Sequence, residues 1–118
     1  MKKIVIIELL NSPILLSEEK GKELLKVLKK SFHKLGACQI DFQGYKFLSS
    51  AFLNSSFGQL CIDENVSIGE FNKKFEVINL DENGKDDLEL CLSNAQLRKK
   101  LIDKGCNEED FYSTIAYS

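Results

Sequence analysis

The chain of 118 residues contains no tryptophan and only one histidine, His33, which limits the chemistry available to it. Its four cysteines form no CxxC pair, so the ligand spacing of a structural zinc site is absent. No serine and carboxylate can be joined to His33 as a catalytic triad, because that residue lies on a separate predicted helix. We therefore expect a protein that is not an enzyme and holds neither a metal nor a cofactor.

Clustered glycines are also lacking. The seven glycines are scattered singly, and the sequence contains no GxGxxG, GxxxxGK[ST] or GxSxG motif. A phosphate-binding loop needs glycines where the backbone approaches the ligand, and a nucleophile elbow needs them around its serine. These absences argue against a dinucleotide-binding fold, a P-loop NTPase and an α/β-hydrolase.

Neither a basic character nor a long apolar run is present. The net charge of -2 and the pI of about 5.5 give no electrostatic footprint for direct nucleic-acid binding. No segment approaches the roughly 18 consecutive apolar residues of a membrane span. The start, MKKIVIIELL, lacks a signal-peptide cleavage site and is interrupted by Glu8. We expect a cytoplasmic protein with reduced cysteines that binds no membrane.

The elements alternate between strand and helix, which predicts an α/β fold: a small mixed β-sheet with helices packed mainly on one face. Domain boundaries are predicted at 1–105, with a C-terminal tail at 106–118. VSIGEFNKK is interpreted as a connector and DENGK as a turn. The predicted strands are Lys3–Leu10, Ala37–Phe42 with an extension in YKFLSS, and Phe75–Leu80. ILLS is interpreted as a short second strand or as an extended approach to the next helix. The predicted helices are Ser17–Leu35, closed by Gly36, then Ala51–Cys61, and a last one opened by Asp86 and Asp87 and ended by Gly105.

The helical faces are predicted from the spacing of apolar residues. Lysines on the first long helix lie away from its leucine stripe and are interpreted as a solvated surface. The stripe comprises Leu24, Leu25, Leu28, Phe32 and Leu35, and the lysines are Lys26, Lys29, Lys30 and Lys34. The inner face of the last helix is predicted as Leu88, Cys91, Leu92, Ala95 and Ile102, with Arg98 among the basic residues of its C-terminal end.

The stretch FLSSAFLNSSFG at 47–58 is uncharged and rich in serine and phenylalanine. It lies where a strand passes into a helix, so Ser49 or Ser50 is expected to cap the first free amides. The same position attracts a phosphate group. The serines and Asn54 are expected on the solvent side. The aromatic residues expected to fill the core are Phe42, Phe47, Phe52 and Phe57.

These residues leave three functions open. A neutral surface rich in hydroxyl groups suits protein docking, because little charge must be desolvated. A small-ligand or nucleotide sensor with its anion at the same helix N-terminus is the alternative. A small enzyme using Cys61 or Cys38 is less favoured, since Cys38 and Cys91 fall on predicted buried faces.

The run IDFQGYKFLSSAFLNSSFG resembles the signature of the STAS-like domain family of bacteria and phages. The upstream LLSEEKGKELLKVL is similar to the entry into the first helix of that family, and the resemblance extends over about residues 3 to 102. The corresponding elements in this chain are Ile40-Asp41-Phe42, Gly44-Tyr45, Ser49-Ser50-Ala51, Phe52-Leu53-Asn54 and Phe57-Gly58.

The resemblance implies a fold like that of sulphate-transporter and anti-sigma-antagonist domains. In the antagonists, a DSSG loop at this junction carries a serine that a histidine-kinase-like ATPase phosphorylates. The phosphate breaks the complex, and a phosphatase restores it. Here Ser49 replaces the aspartate and Phe52 the glycine, and one alignment register places the acceptor on Ala51.

From the resemblance we expect a non-enzymatic regulatory module that binds a protein near 48–58 and is controlled by serine phosphorylation. Ser50 and then Ser49 are the phosphoacceptor candidates. The expected partner is a histidine-kinase-like ATPase or a transcription regulator. The partner-binding residues are Ser49, Ser50, Asn54 and Ser55.

Overall fold

A computed structural model describes residues 2–105 of the protein. The strands are β1 (Lys2–Val5), β2 (Ile14–Leu15), β3 (Cys38–Asp41), β4 (Phe47–Leu48) and β5 (Phe75–Ile78). The helices are α1 (Ile6–Leu10), α2 (Glu18–Phe32), α3 (Ser50–Leu53), α4 (Gln59–Asp63), α5 (Ile68–Lys74) and α6 (Glu82–Asp103), and a π-helical turn at Asn54–Gly58, called the π segment, joins α3 to α4.

The main sheet has three parallel strands in the order β1-β3-β5. Residues in register on neighbouring strands point to the same face, and successive residues alternate between faces. Ile4 is in register with Ile40, and both are buried. On the opposite face Lys3, Gln39 and Glu76 are in register and polar. The face that carries Ile4 and Ile40 is therefore apolar, whereas the opposite face has a polar row at Lys3, Gln39 and Glu76.

A second, smaller sheet holds the loop that precedes the serines. Strands β2 and β4 pair in parallel, with Leu15 opposite Leu48. Ser49 extends this pairing, since its amide donates to the carbonyl of Leu15 over 3.0 Å. The α/β fold class is confirmed, and ILLS contains a short strand, one of its two expected alternatives. YKFLSS does not extend β3, because its strand β4 pairs with β2 in a separate sheet. Among residues 2–105 the strands pair only in parallel, in two sheets, whereas we expected one partly parallel sheet.

The first predicted strand is too long. Residues Ile6–Leu10 form helix α1 and do not continue β1. Ile6 and Leu10 are both buried, and a spacing of four residues places them on one side of a helix. Asn11 ends the helix in the left-handed conformation, with φ of 53°, and its amide donates to Ile7. Burial of this pair outweighs the strand propensity of the isoleucines.

Helix α2 begins as predicted and ends earlier. The Ser17 hydroxyl accepts a hydrogen bond from the Lys20 amide over 3.2 Å, which caps the helix. The helix ends at Phe32, and Leu35 is fully exposed, so Leu35 was wrongly placed on the apolar stripe. Gly36 has the expected left-handed conformation, with φ of 87°, but it lies in a separate turn.

The predicted connector VSIGEFNKK contains helix α5. Ser67 and Glu70 form a capping box, in which the Ser67 hydroxyl accepts from the Glu70 amide over 3.1 Å. This S-x-x-E pattern is a recognised start of a helix. Phe71 and Phe75 are buried at its C-terminal side and anchor it to the core. The connector interpretation was wrong because the capping signal was overlooked.

The interpretation of DENGK as a turn was also wrong, because this segment contains the start of α6. Asp81 caps the helix by accepting from the Gly84 amide over 2.7 Å. Gly84 is buried, and a Cβ there would lie 2.9 Å from the Tyr45 hydroxyl oxygen. Close packing, and not a turn, explains this glycine. At the other end Ile102 is 38% exposed, so it was wrongly placed on the inner face, whereas Arg98 is buried.

Five phenylalanines contribute rings to a core that is otherwise mainly aliphatic. Phe42, Phe52 and Phe57 are fully buried, as predicted. Ring centroids are 6.0 Å apart for Phe42–Phe57 and 5.8 Å for Phe57–Phe71. Phe47 is 58% exposed and was wrongly assigned to the core, because it lies on the outer side of the two-stranded sheet.

Helix α2 packs unusually closely against the π segment. A Cβ at Gly21 would overlap the Ser55 hydroxyl oxygen and lie 2.8 Å from the carbonyl oxygen of Phe52. The absence of a side chain on α2 therefore sets how near the two helices approach. Within residues 2–105, no helix combines the length and apolarity that a bilayer crossing requires.

Replacing Gly21 with alanine should destabilise the protein, because the added methyl group cannot fit without moving backbone. We expect the free energy of unfolding to fall by about 1–3 kcal/mol. Gly69→Ala is the matched control, since its Cβ would meet no atom closer than 3.9 Å. Alanine there should leave stability unchanged or raise it by up to about 1 kcal/mol. Urea denaturation of both variants tests this, and equal effects would contradict the close-packing argument.

Candidate functional site

The serine at the strand–helix junction that caps the helix is Ser49. Its hydroxyl oxygen accepts from the Phe52 amide over 3.1 Å and donates to the Leu16 carbonyl over 2.8 Å. These two bonds tie the start of α3 to the segment that follows β2. Ser49 is therefore committed to holding the junction together.

Ser50 is the first helical residue of α3, and its side chain is exposed. Its hydroxyl makes no hydrogen bond with any other of residues 2–105. Ala51 beside it is exposed as well. The predicted position of Ser50, at the accessible amino end of a helix, is confirmed. Its role as a phosphoacceptor stays a prediction.

The other two serines of the stretch bond to the backbone of the widened helical turn. Ser55 donates to the carbonyls of Ala51 over 2.8 Å and Phe52 over 3.1 Å. Ser56 is fully buried and donates to Phe52 over 2.7 Å. The expectation that all the serines face solvent was thus wrong for Ser56. The pair of consecutive serines before Phe57 was the sequence signal for this arrangement. Serine hydroxyls inside a helix often donate to backbone carbonyls of the preceding turn.

A groove opens beside the junction, and we call it the serine groove. It encloses about 440 Å³. Three of the four predicted partner-binding residues, Ser50, Asn54 and Ser55, line it, and Ser49 does not. The complete lining comprises Glu18, Lys22, Ser50, Ala51, Asn54, Ser55, Gln59 and Arg98. Sequence reasoning missed its walls because α2 and α6 supply them from distant parts of the chain.

A second depression, here called the lysine groove, continues the first one along α2. It encloses about 410 Å³ and shares Lys22, Ser55 and Gln59 with the serine groove. Its own residues are Leu25, Lys26 and Lys29. The lysines were predicted to cover a solvated helix face. The structure shows that three of the helix lysines, Lys22, Lys26 and Lys29, border a concave surface next to the serines.

A buried carboxylate lies at the carboxyl end of β3. Asp41 ends β3, is 1% exposed, and accepts from the Asn79 side chain over 2.7 Å and the Gln43 amide over 2.8 Å. Its other oxygen lies 3.2 Å from the Lys3 ammonium. The Asn79 hydrogen bond is the largest cause that lowers the pKa of Asp41, and the Gln43 and Lys3 contacts add to it against the opposing effect of burial.

The described cysteines are placed poorly for catalysis. Cys38, Cys61 and Cys91 are all buried and form no disulfide. Desolvation raises the pKa of Cys61 to about 11 and that of Cys91 to about 12, so little reactive thiolate forms near neutral pH. Cys106 lies outside the described residues. These observations weaken the hypothesis of an enzyme that uses Cys61 or Cys38.

Within the part of the chain that the structure describes, the histidine is remote from the serine groove and pairs with an acidic residue. His33 is exposed and lies 3.1 Å from Glu64. Among residues 2–105, no group of three or more His, Cys, Asp or Glu side chains is arranged to hold a metal ion. The expectation of a non-enzymatic protein stays a prediction.

Substituting Asp41 with asparagine should lower the free energy of unfolding by about 1–3 kcal/mol at neutral pH, because buried donors lose their charged acceptor. The folded-state pKa is depressed, so this contribution is present above the ordinary carboxyl pKa and is lost as pH falls through the folded value. The difference in stability between wild type and variant should therefore shrink on acidification. Urea titrations from neutral to acidic pH measure it, and a pH-independent difference would contradict the assignment.

The two neighbouring serines should respond differently to alanine. Ser49→Ala removes the cap and should lower stability by about 1 kcal/mol, whereas Ser50→Ala removes no hydrogen bond and should stay within about 0.5 kcal/mol. Thermal and urea denaturation of the pair compares them directly. A larger loss for Ser50→Ala would show that the residues have been assigned the wrong way round.

Comparison with known proteins gives a family and no individual relative. No curated protein and no solved structure matches the chain. The family model of the STAS-like domain of unknown function (DUF4325) matches residues 20–85. This range runs from the start of α2 to the start of α6 and includes the serine junction. It is shorter than the resemblance over 3–102, but it covers more than half of the chain. The protein belongs to the STAS-like domain family of unknown function.

Proposed function

We propose that the protein is a non-enzymatic regulatory module that binds a protein partner through residues 48–58 and is controlled by phosphorylation of Ser50. The observation that carries the proposal is the difference among the four serines of this stretch. The hydroxyls of Ser49, Ser55 and Ser56 all donate to backbone carbonyls. The hydroxyl of Ser50 is exposed and bonds to none of the described residues, so it is accessible to a kinase.

The surface around Ser50 suits protein docking. Ala51 is exposed, and Asn54 and Ser55 are half-buried in the same groove. None of these side chains carries a charge, so a partner that covers them does not have to desolvate charged groups there. The groove presents hydroxyl and amide groups that give a partner hydrogen bonds and therefore orientation. A neutral centre within a polar surface is consistent with a reversible interface.

Phosphorylation would change this surface strongly. The γ-phosphoryl group of ATP would transfer to Ser50 Oγ, with release of ADP and the hydroxyl proton. The phosphate adds about -1.5 to -2 charges at neutral pH to a position that was neutral. It also adds bulk to the groove in which a partner would rest. Release of the partner is the direct consequence, and a histidine-kinase-like ATPase is the partner that would supply the phosphate.

The structure also disfavours Ser49 as the acceptor. A phosphate on Ser49 would remove the hydroxyl hydrogen donated to Leu16 and crowd the Phe52 amide. Modification there would disturb the junction itself and cost about 1 kcal/mol or more of stability. Phosphate on Ser50 breaks no hydrogen bond of the described residues. We therefore assign the acceptor role to Ser50 and a structural role to Ser49.

The test is a quantitative pull-down from the native cells with wild type, Ser50→Ala and Ser50→Asp. Aspartate at this first helical position is compatible with folding, since acidic residues suit helix starts. We expect Ser50→Asp to lose the captured partner about tenfold, a loss of about 1.4 kcal/mol in binding free energy, and Ser50→Ala to retain it. Ser93→Asp is the matched control, because Ser93 is exposed on α6 and lies outside the serine groove.

Mass spectrometry of the native protein completes the test. Phosphate on Ser50, with none on the buried Ser56, is the expected result. The proposal is abandoned if Ser50 carries no phosphate under any growth condition and Ser50→Asp captures the same proteins as wild type.

A further inference from the structure

The surface next to the proposed docking site has a charge opposite to that of the whole chain. The protein carries a net charge of -2. The serine and lysine grooves together are lined by three lysines, Lys22, Lys26 and Lys29, and by a single carboxylate, that of Glu18. Arg98 also lines the serine groove, but it already takes part in an interaction of its own. A local excess of positive charge on an acidic protein indicates what kind of molecule this surface attracts.

Lys22 and Lys26 contribute the available positive charge. They lie one turn apart on α2, so their ammonium groups project from the same side of the helix. Both side chains are exposed, and neither forms an ion pair with any of residues 2–105. Lys29, by contrast, is 2.8 Å from Asp63 and is thereby partly neutralised. Two cations thus border the groove with their charge unmatched by the described residues.

The floor between these lysines and Ser50 is suited to a polypeptide. Leu25 is half-buried in the lysine groove, and Ser55 and Gln59 lie where the two grooves join. Such a floor gives apolar contact and hydrogen bonds to an extended chain. The negative net charge of the protein disfavours a nucleic acid, whose binding relies on long-range attraction to many phosphates.

We propose that the two grooves bind an acidic segment of the partner protein, with its carboxylates beside Lys22 and Lys26 and its neighbouring residues over Ser50 and Ser55. This inference rests on the proposed function and names the chemistry of the partner. It also explains the direction of the switch. Phosphate on Ser50 places negative charge in the same groove, where it repels acidic residues and draws Lys22 towards itself.

The test uses the full chain and a fluorescein-labelled decapeptide of alternating glutamate and serine, with fluorescence anisotropy as the readout. Reversing two charges, in Lys22→Glu with Lys26→Glu, should weaken binding of this probe roughly tenfold. The matched control is Lys30→Glu with Lys46→Glu, in which both lysines are exposed and neither lines a groove. The control should weaken binding less than about twofold. Raising NaCl from about 50 to about 300 mM should weaken wild-type binding, since screening acts on exposed charges.

The opposing results are distinct. Equal weakening by the two double variants would overturn the inference, because binding would then follow net charge alone. Tighter binding of a ten-nucleotide single strand than of the peptide would overturn it in favour of a nucleic acid. The chain has its own acidic run at 108–110. If Glu108→Gln, Glu109→Gln and Asp110→Asn together tighten probe binding more than Glu82→Gln, Asp86→Asn and Asp87→Asn do, this run and not a partner occupies the groove; equal effects support a partner.

The two proposals fail separately. If the lysine variants bind the probe like wild type while Ser50→Asp still loses its captured protein, the docking function stands and the acidic chemistry is wrong. If the probe binds as expected while Ser50→Asp captures its partner normally, the groove binds acidic peptides and the proposed control by phosphorylation of Ser50 is wrong.

Discussion

The close approach of Gly21 to Ser55 is the constraint on which the candidate site depends. Because Gly21 has no Cβ, α2 lies against the carbonyl of Phe52 and the hydroxyl of Ser55. This contact carries Lys22, the next residue on α2, to the edge of the serine stretch. A bulkier residue at position 21 would push the helices apart and separate the lysines from Ser50. The candidate surface is thus a product of packing between helices and does not exist in either helix alone.

The unusual mixture of serine and phenylalanine at 47–58 follows from the same packing. Phe52 and Phe57 point into the core, and a helix that buries large rings at a spacing of five residues fits the wider π-helical turn better than a regular α-helix. The hydroxyls of Ser55 and Ser56 donate to three backbone carbonyls of this widened stretch, those of Ala51, Phe52 and Leu53. Most of the hydroxyl groups are therefore structural, which isolates Ser50 as the serine that has no structural task.

Local signals in the sequence predicted local structure well. The caps at Ser17 and at Ser49 or Ser50, the three main strands and the family were all read from short patterns. The errors arose where tertiary packing determines the local structure. Ile6–Leu10 is helical because Ile6 and Leu10 are buried on one side. Gly84 allows close contact with Tyr45 and does not mark a turn. Groove walls from α2 and α6 could not be predicted, since they require knowing which distant residues meet. The S-x-x-E signal at Ser67 was present and overlooked.

The small net charge of the serine groove explains why one phosphate would suffice to abolish the proposed attraction of acidic segments. Lys22 and Glu18 both line that groove and carry opposite charges, so their net charge is small. A phosphate of about -1.5 to -2 charges outweighs it, so modification would make the groove negative. The neighbouring lysine groove shares Lys22, Ser55 and Gln59 with the serine groove, so the added charge also acts on its edge. A binding surface that is only weakly positive can be switched by a single modification, whereas a strongly basic one would stay attractive to acidic chains.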